Sequence, residues 1–190
     1  MYKVKKILFF GDSLTAGYGL RDPRTTSLPA LIQQRIDIDK LPYQVINAGQ
    51  SGDTTSGGLL RIDGYLDQAI DVLVLELGAN DILRGIPPQT TSTNLQAIIN
   101  KVRSRHPNVK MLLLGMELPG WIPGAFAGAF RSVFAQVAMK NDMAFVPFML
   151  EGVAGIRHLN LPDGLHPTAD GYKIIADRVW PVLATLLGHQ

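Results

Sequence analysis

Apolar positions in this chain come in short unbroken runs, each closed by glycine or by small polar residues. Ile7 to Phe10 is the first, stopped by Gly11. A run with no polar alternation predicts a strand buried on both faces. Gln44 to Ala48 ends on Gly49, Asp71 to Leu77 ends on Gly78, Lys110 to Leu118 is a fourth strand candidate and Ala144 to Met149 a short fifth. Between these runs the apolar spacing becomes helical. Leu28, Leu31, Ile32 and Ile36 predict a helix with Ser27 as N-cap and Pro29 in its first turn. An amphipathic segment runs from Leu59 to Ile70, and Leu95, Ile98, Ile99 and Val102 place a helix over about 93–105 that Pro107 stops. Phe130, Val133, Phe134 and Val137 mark another, and an amphipathic helix over about 168–187 closes the chain.

Three stretches fall outside this pattern. Residues 47–58 are too rich in Gly, Ser and Asp to read as core, residues 118–128 read as an apolar loop, and residues 150–167 as a long irregular connection. Strand and helix alternate about five times, which predicts an α/β fold: a parallel sheet with helices on both faces and right-handed crossovers. The 190 residues suit one domain spanning 1–190.

Ligands of such sheets bind at the carboxyl ends of the strands. The residues there are Asp12 and Ser13, the loop from Gln50 to Thr55, Asn80 and Asp81, and the loop from Glu117 onward. A serine hydroxyl becomes a nucleophile when a base accepts its proton and a third group orients that base. Of the four histidines, His106 precedes Pro107 at a helix end, His158 lies in a Leu-flanked loop and His189 is next to the C-terminus. His166 sits three residues after Asp163, just before the last helix, an offset that can bring the carboxylate to Nδ1 and leave Nε2 for Ser13. Taken alone, a DxxH in a loop reads more readily as a surface turn with a helix cap; it is the combination with the other edge loops that favours the pair. Donors for an oxyanion are available from the Ser13 N–H, from Gly52, whose lack of a side chain permits close approach, and from the Asn80 amide. Asp12, Asp53 and Asp81 read as turn, loop or cap residues, and Gly17 and Gly19 as relief of strain in the turn after Ser13.

Composition narrows the choice. A net charge of +2 with no long Lys/Arg run removes the electrostatic footprint of a nucleic-acid binder, and the absence of cysteine removes disulfides, thiolate zinc sites and a cysteine nucleophile. No apolar run approaches the ~20 residues of a membrane span, so no stable membrane insertion is expected. The apolar part of MYKVKKILFF is shorter than the ~7–15 residues of a signal peptide's core. A cytoplasmic location is expected for the chain as given, and a periplasmic or secreted one if a leader has been removed. A phosphate- or nucleotide-binding module is a rival reading, but neither G-x-x-x-x-G-K-[ST] nor G-x-G-x-x-G occurs and Asp12 would repel an anion.

Four blocks carry a family likeness: GDSL at Gly11 to Leu14, SGDTT around Gly52, GAND at Gly78 to Asp81, and DGLHP at Asp163 to Pro167. In this order they resemble the SGNH/GDSL hydrolases, most of all the bacterial arylesterase, acyl-CoA thioesterase I and lysophospholipase L1 group. The resemblance implies a flavodoxin-like three-layer α/β/α fold with five strands in the order 2-1-3-4-5. It also implies Ser13 as nucleophile, His166 as base, Asp163 as its partner, Ser13, Gly52 and Asn80 as oxyanion donors, and no metal or organic cofactor. The substrate is then a small ester or thioester, with an acetylated carbohydrate as the alternative. Trp121 and Ile122, with Ile86, Pro87 and Pro88, are expected to line an acyl groove. Activity is expected to fall on acidification through roughly pH 6–7 as the base protonates.

Overall fold

In a computed structural model, which describes residues 4–117 and 125–189, five parallel strands form one sheet in the order β2-β1-β3-β4-β5. They are β1 (Lys5–Gly11), β2 (Tyr43–Gly49), β3 (Val72–Glu76), β4 (Lys110–Leu114) and β5 (Ala144–Val146). Ile7 to Phe10 and Leu73 to Leu75 are fully buried. Each large side chain removed from water there contributes about 1.5–3 kcal/mol. Register brings Gly11 level with Gly49 of β2 and with Glu76 of β3. The chain leaves β1 toward β2 on one side and returns to β3 on the other, so the carboxyl end of β1 is a topological switch point, where open α/β sheets bind ligands.

Helices cover both faces. On one, α3 (Leu28–Ile38) packs against α8 (Ala169–Leu187). On the other, α6 (Pro88–Arg105) packs against α4 (Thr55–Arg61) and α7 (Ala125–Lys140). Three short helices complete the set: α1 (Ser13–Ala16), α2 (Pro23–Thr26) and α5 (Ala79–Leu83). The three-layer α/β/α architecture and the strand order agree with the expectation. Ser27 and Thr168 cap α3 and α8 through their side chains. No helix among the described residues is long and apolar enough to cross a membrane.

Several boundaries differ from the sequence reading. β4 stops at Leu114 and β5 at Val146; beyond them the Gly115 N–H bonds Val146 O, and Pro147 lies where a side chain at Gly115 would fall. α6 starts at Pro88, ahead of the expected start near 93, since proline is well suited to a first helical position whose N–H has no acceptor. The stretch over 47–58 is not all surface loop. α4 begins inside it, capped by the Thr54 side chain, with Thr55 and Gly58 buried. Glycine at 58 lets α4 settle onto the sheet, because a Cβ there would collide with Leu77.

Candidate active site

β1 ends in a turn with little room. A Cβ on Gly11 would collide with Thr15 Oγ1 and the Glu76 carboxyl, so only glycine admits that packing. Asp12 then caps α1, its Oδ1 accepting the Leu14 N–H at 2.9 Å. Gly17 ends the turn in the left-handed region at φ 79°, as helix C-termini commonly do. The Tyr172 hydroxyl of α8 donates to Leu14 O at 2.9 Å, tying the turn to that helix. Ser13 opens this helix, 8% exposed. As the first helical residue its N–H has no intrahelical acceptor and is free to serve a ligand.

The irregular connection before α8 is held at its base rather than loose. Asn160 pairs with Pro167 in an antiparallel bridge and its side-chain amide donates to Val153 O at 2.7 Å and Ile156 O at 2.9 Å. The Leu161 N–H donates to His166 O at 2.7 Å, closing a short loop that presents Asp163 and His166. Asp163 Oδ1 accepts the N–H groups of Leu165 and His166, while Oδ2 lies 2.7 Å from His166 Nδ1. His166 Nε2 lies 2.9 Å from Ser13 Oγ. The sequence-predicted serine, histidine and aspartate thus stand in one hydrogen-bonded line, although 150 residues separate Ser13 from Asp163. Burial works to raise the Asp163 carboxyl, but the two backbone N–H groups and the His166 ring outweigh it and hold it at about 2.

The predicted donors come from the neighbouring strand ends. Gly52 has φ 81°, a conformation that strains any residue with a side chain, and its carbonyl accepts Arg84 Nη2 at 2.8 Å. Asn80 lies in the first turn of α5. Its Nδ2 donates to Asp12 Oδ2 and to Asp53 O, each at 2.9 Å, so both of its N–H groups are engaged. Asp53 itself is buried and paired with Arg61, which stacks on the Phe10 ring at 3.9 Å and donates to Gly11 O. Asp81 is not a cap. Fully buried, it accepts the Thr55 N–H and hydroxyl and the Thr91 hydroxyl, fastening α4, α5 and α6 together.

Two residues here escaped the sequence reading. The Tyr18 ring lies against the His166 imidazole, 4.6 Å between centroids, and a tyrosine after a glycine turn gives no signal of such a contact. Glu76, inside the run read as a plain buried strand, is fully buried below Ser13's turn; its one signal was a charged residue in an otherwise apolar strand. Of the groove residues, Trp121 and Ile122 lie outside the described residues. Half-buried Ile86 and exposed Pro87 form the link from α5 to α6, with the Ile86 N–H bonded to Asp81 O at 2.9 Å. Among the described residues no three His, Cys, Asp or Glu side chains are grouped to hold a metal ion.

A serine and a histidine facing each other at the switch point of a parallel sheet define a serine-type hydrolase of the α/β/α class. Residues 9–174 match the GDSL-like Lipase/Acylhydrolase family, and the chain belongs to it. It is similar to esterase TesA of Pseudomonas aeruginosa, 38% identical over 95% of this chain and 89% of that one. It is also similar to the thioesterase 1/protease 1/lysophospholipase L1 of Escherichia coli K12, 35% identical over 97% and 86%. The crystal structure of the psychrotrophic esterase EstA from Pseudoalteromonas sp., inhibited by monoethylphosphonate, superimposes with a TM-score of 0.87 at 31% identity, covering 97% of this chain and all of that one. The protein is a carboxylic ester hydrolase.

Proposed function

We propose that the protein cleaves short- to medium-chain acyl and aryl esters through an acyl-enzyme on Ser13, with thioesters and lysophospholipids as further substrates. The observation that carries this reading is the line from Asp163 to His166 to Ser13, at 2.7 and 2.9 Å. His166 Nε2 takes the hydroxyl proton as Ser13 Oγ attacks the carbonyl carbon, and Asp163, bonded to Nδ1, stabilises the imidazolium. The Ser13 and Gly52 N–H groups meet the oxyanion, joined by the Asn80 N–H that turns from the Asp53 carbonyl. Collapse expels the alkoxide, phenolate or thiolate, which takes the proton from His166. Water then attacks the acyl-Ser13 ester by the same route and releases the carboxylic acid.

Exposed apolar groups at Tyr18 and Leu165 flank His166, and Leu83 stands just beyond Asn80, a surface suited to an aliphatic or aryl group. In this reading Ile86, Pro87, Trp121 and Ile122 extend that surface. The printed names of the relatives, an esterase in one and a combined thioesterase and lysophospholipase in another, support the wider substrate range. Turnover of p-nitrophenyl esters of increasing chain length, an acyl-CoA and a lysophospholipid tests it. Hydrolysis of the aliphatic esters with added activity on the last two is expected; activity confined to acetylated sugars would contradict it. Ser13→Ala should lower kcat on the order of 10⁶-fold, as loss of a triad serine does.

A further inference from the structure

Below the Ser13 turn lie two carboxyls with no access to water. Asp12 and Glu76 are both fully buried, and their side chains are within hydrogen-bonding reach of each other. Two carboxylates in contact in such surroundings do not both ionise, because each would face the other's charge in a low dielectric. The donors around them indicate which one keeps the proton. Asp12 accepts at both oxygens: the Leu14 N–H at Oδ1 and the Asn80 amide at Oδ2. Glu76 accepts only at Oε2, from the Asp12 N–H at 3.2 Å and the Thr15 hydroxyl at 2.8 Å. Its Oε1 is buried and finds no donor. A charged oxygen left without a donor is costly, whereas a protonated Glu76 needs only an acceptor for its hydroxyl, and the Asp12 carboxylate within reach is one.

We propose that Glu76 is a positioning residue that works as a neutral acid: its proton lets Asp12 remain the single buried carboxylate, and Asp12 in turn holds the Asn80 amide and the Ser13 turn in their working geometry. The remaining titratable and charged groups nearby are accounted for. Arg61 of α4 donates to Gly11 O and is neutralised by Asp53, Asp81 of α5 is bonded to Thr55 and Thr91, and Tyr172 of α8 donates to Leu14 O. His166, when it carries the proton taken from Ser13, acts on the pair through Asp12. In keeping with this, burial and then the Asp12 charge push Glu76 well above the usual carboxylate range. Burial raises Asp12 to about 6, against the pull of the Leu14 N–H and the Asn80 amide. Ionisation of Glu76 at alkaline pH places a second charge beneath Ser13 and undoes the arrangement.

The inference rests on the catalytic reading of Ser13 and Asn80, so its test includes a measurement independent of turnover. Infrared spectra near neutral pH should contain the carbonyl band of a protonated carboxylic acid in the wild type and lose it in Glu76→Gln. Glutamine has the shape and donor of the neutral acid, so Glu76→Gln should keep kcat within a few-fold of wild type and abolish the alkaline fall in activity. Glu76→Ala, which leaves the Asp12 N–H and Thr15 hydroxyl unpaired, should lower kcat by ~10²-fold with KM little changed, comparable with losing one oxyanion donor. Absence of the infrared band, or Glu76→Gln failing as badly as Glu76→Ala, would overturn the proposal. A band present in a protein whose Ser13→Ala variant still turns over would instead leave Glu76 protonated and refute the serine mechanism.

Discussion

Asp163 shows how differently the carboxylates around Ser13 are treated. Its side chain is 37% exposed yet held at about 2 by backbone donors and His166, whereas buried Asp12 is raised to about 6. A depressed carboxyl contributes stability above its ordinary value of 3.8 and loses it as pH falls through about 2. Asp163 is therefore ionised throughout the ordinary assay range and does not account for a fall in activity on acidification through pH 6–7. Asp163→Asn should cost ~10⁴-fold in kcat through loss of the imidazole's orientation and charge partner. Its melting temperature should change little, since the side chain is partly in water, and steady-state kinetics with thermal unfolding check both. Ser13, His166 and Asp163 were legible because their chemistry requires those residue types and the blocks carrying them are distinctive. Glu76 and Tyr18 were not, because a carboxyl's neighbours and a ring's stacking partner are set by tertiary packing that periodicity does not encode.

Among the elements, the one-turn helix α1 depends on its neighbours more than on its own four residues. Its backbone abuts the end of β2 so closely that a Cβ on Gly49 would fall on Ala16 N. Gly49→Ala should therefore destabilise the fold by about 1–3 kcal/mol, as overpacking does, and also lower kcat by displacing Ser13. Thermal unfolding and turnover test the two parts, and an alanine accepted without loss would contradict the packing described. The strands were legible from their unbroken apolar runs, and α3 and α8 from their caps. The start of α4 was not, because Thr55, Gly57 and Gly58 have loop composition but are held by the Thr54 cap, by Asp81 and by close contact with Leu77. Tertiary contacts there override local preference.

For the whole molecule, strand and helix alternation predicted a parallel α/β sheet, but periodicity does not say which strands are neighbours. The order β2-β1-β3-β4-β5 followed from the family likeness, and the register explains its consequence: Gly11, Gly49 and Glu76 end level, so loops far apart in sequence meet at Ser13. The buried acid pair should also be visible in global stability. A carboxyl whose folded value is raised contributes fully below its ordinary range, 4.5 for glutamate, and that contribution is lost as pH rises toward the folded value. The melting temperature of Glu76→Gln should accordingly gain on the wild type as pH is raised above about 4.5. A constant difference across that range would contradict a raised Glu76.

The most direct measurement of the central claim is covalent labelling by a fluorophosphonate ester followed by peptide mass spectrometry. An activated serine at the end of β1 predicts one phosphonyl group per chain, located on Ser13, appearing in step with loss of ester hydrolysis and absent from Ser13→Ala. Full labelling at another residue, or esterase activity that survives complete modification of Ser13, would contradict it.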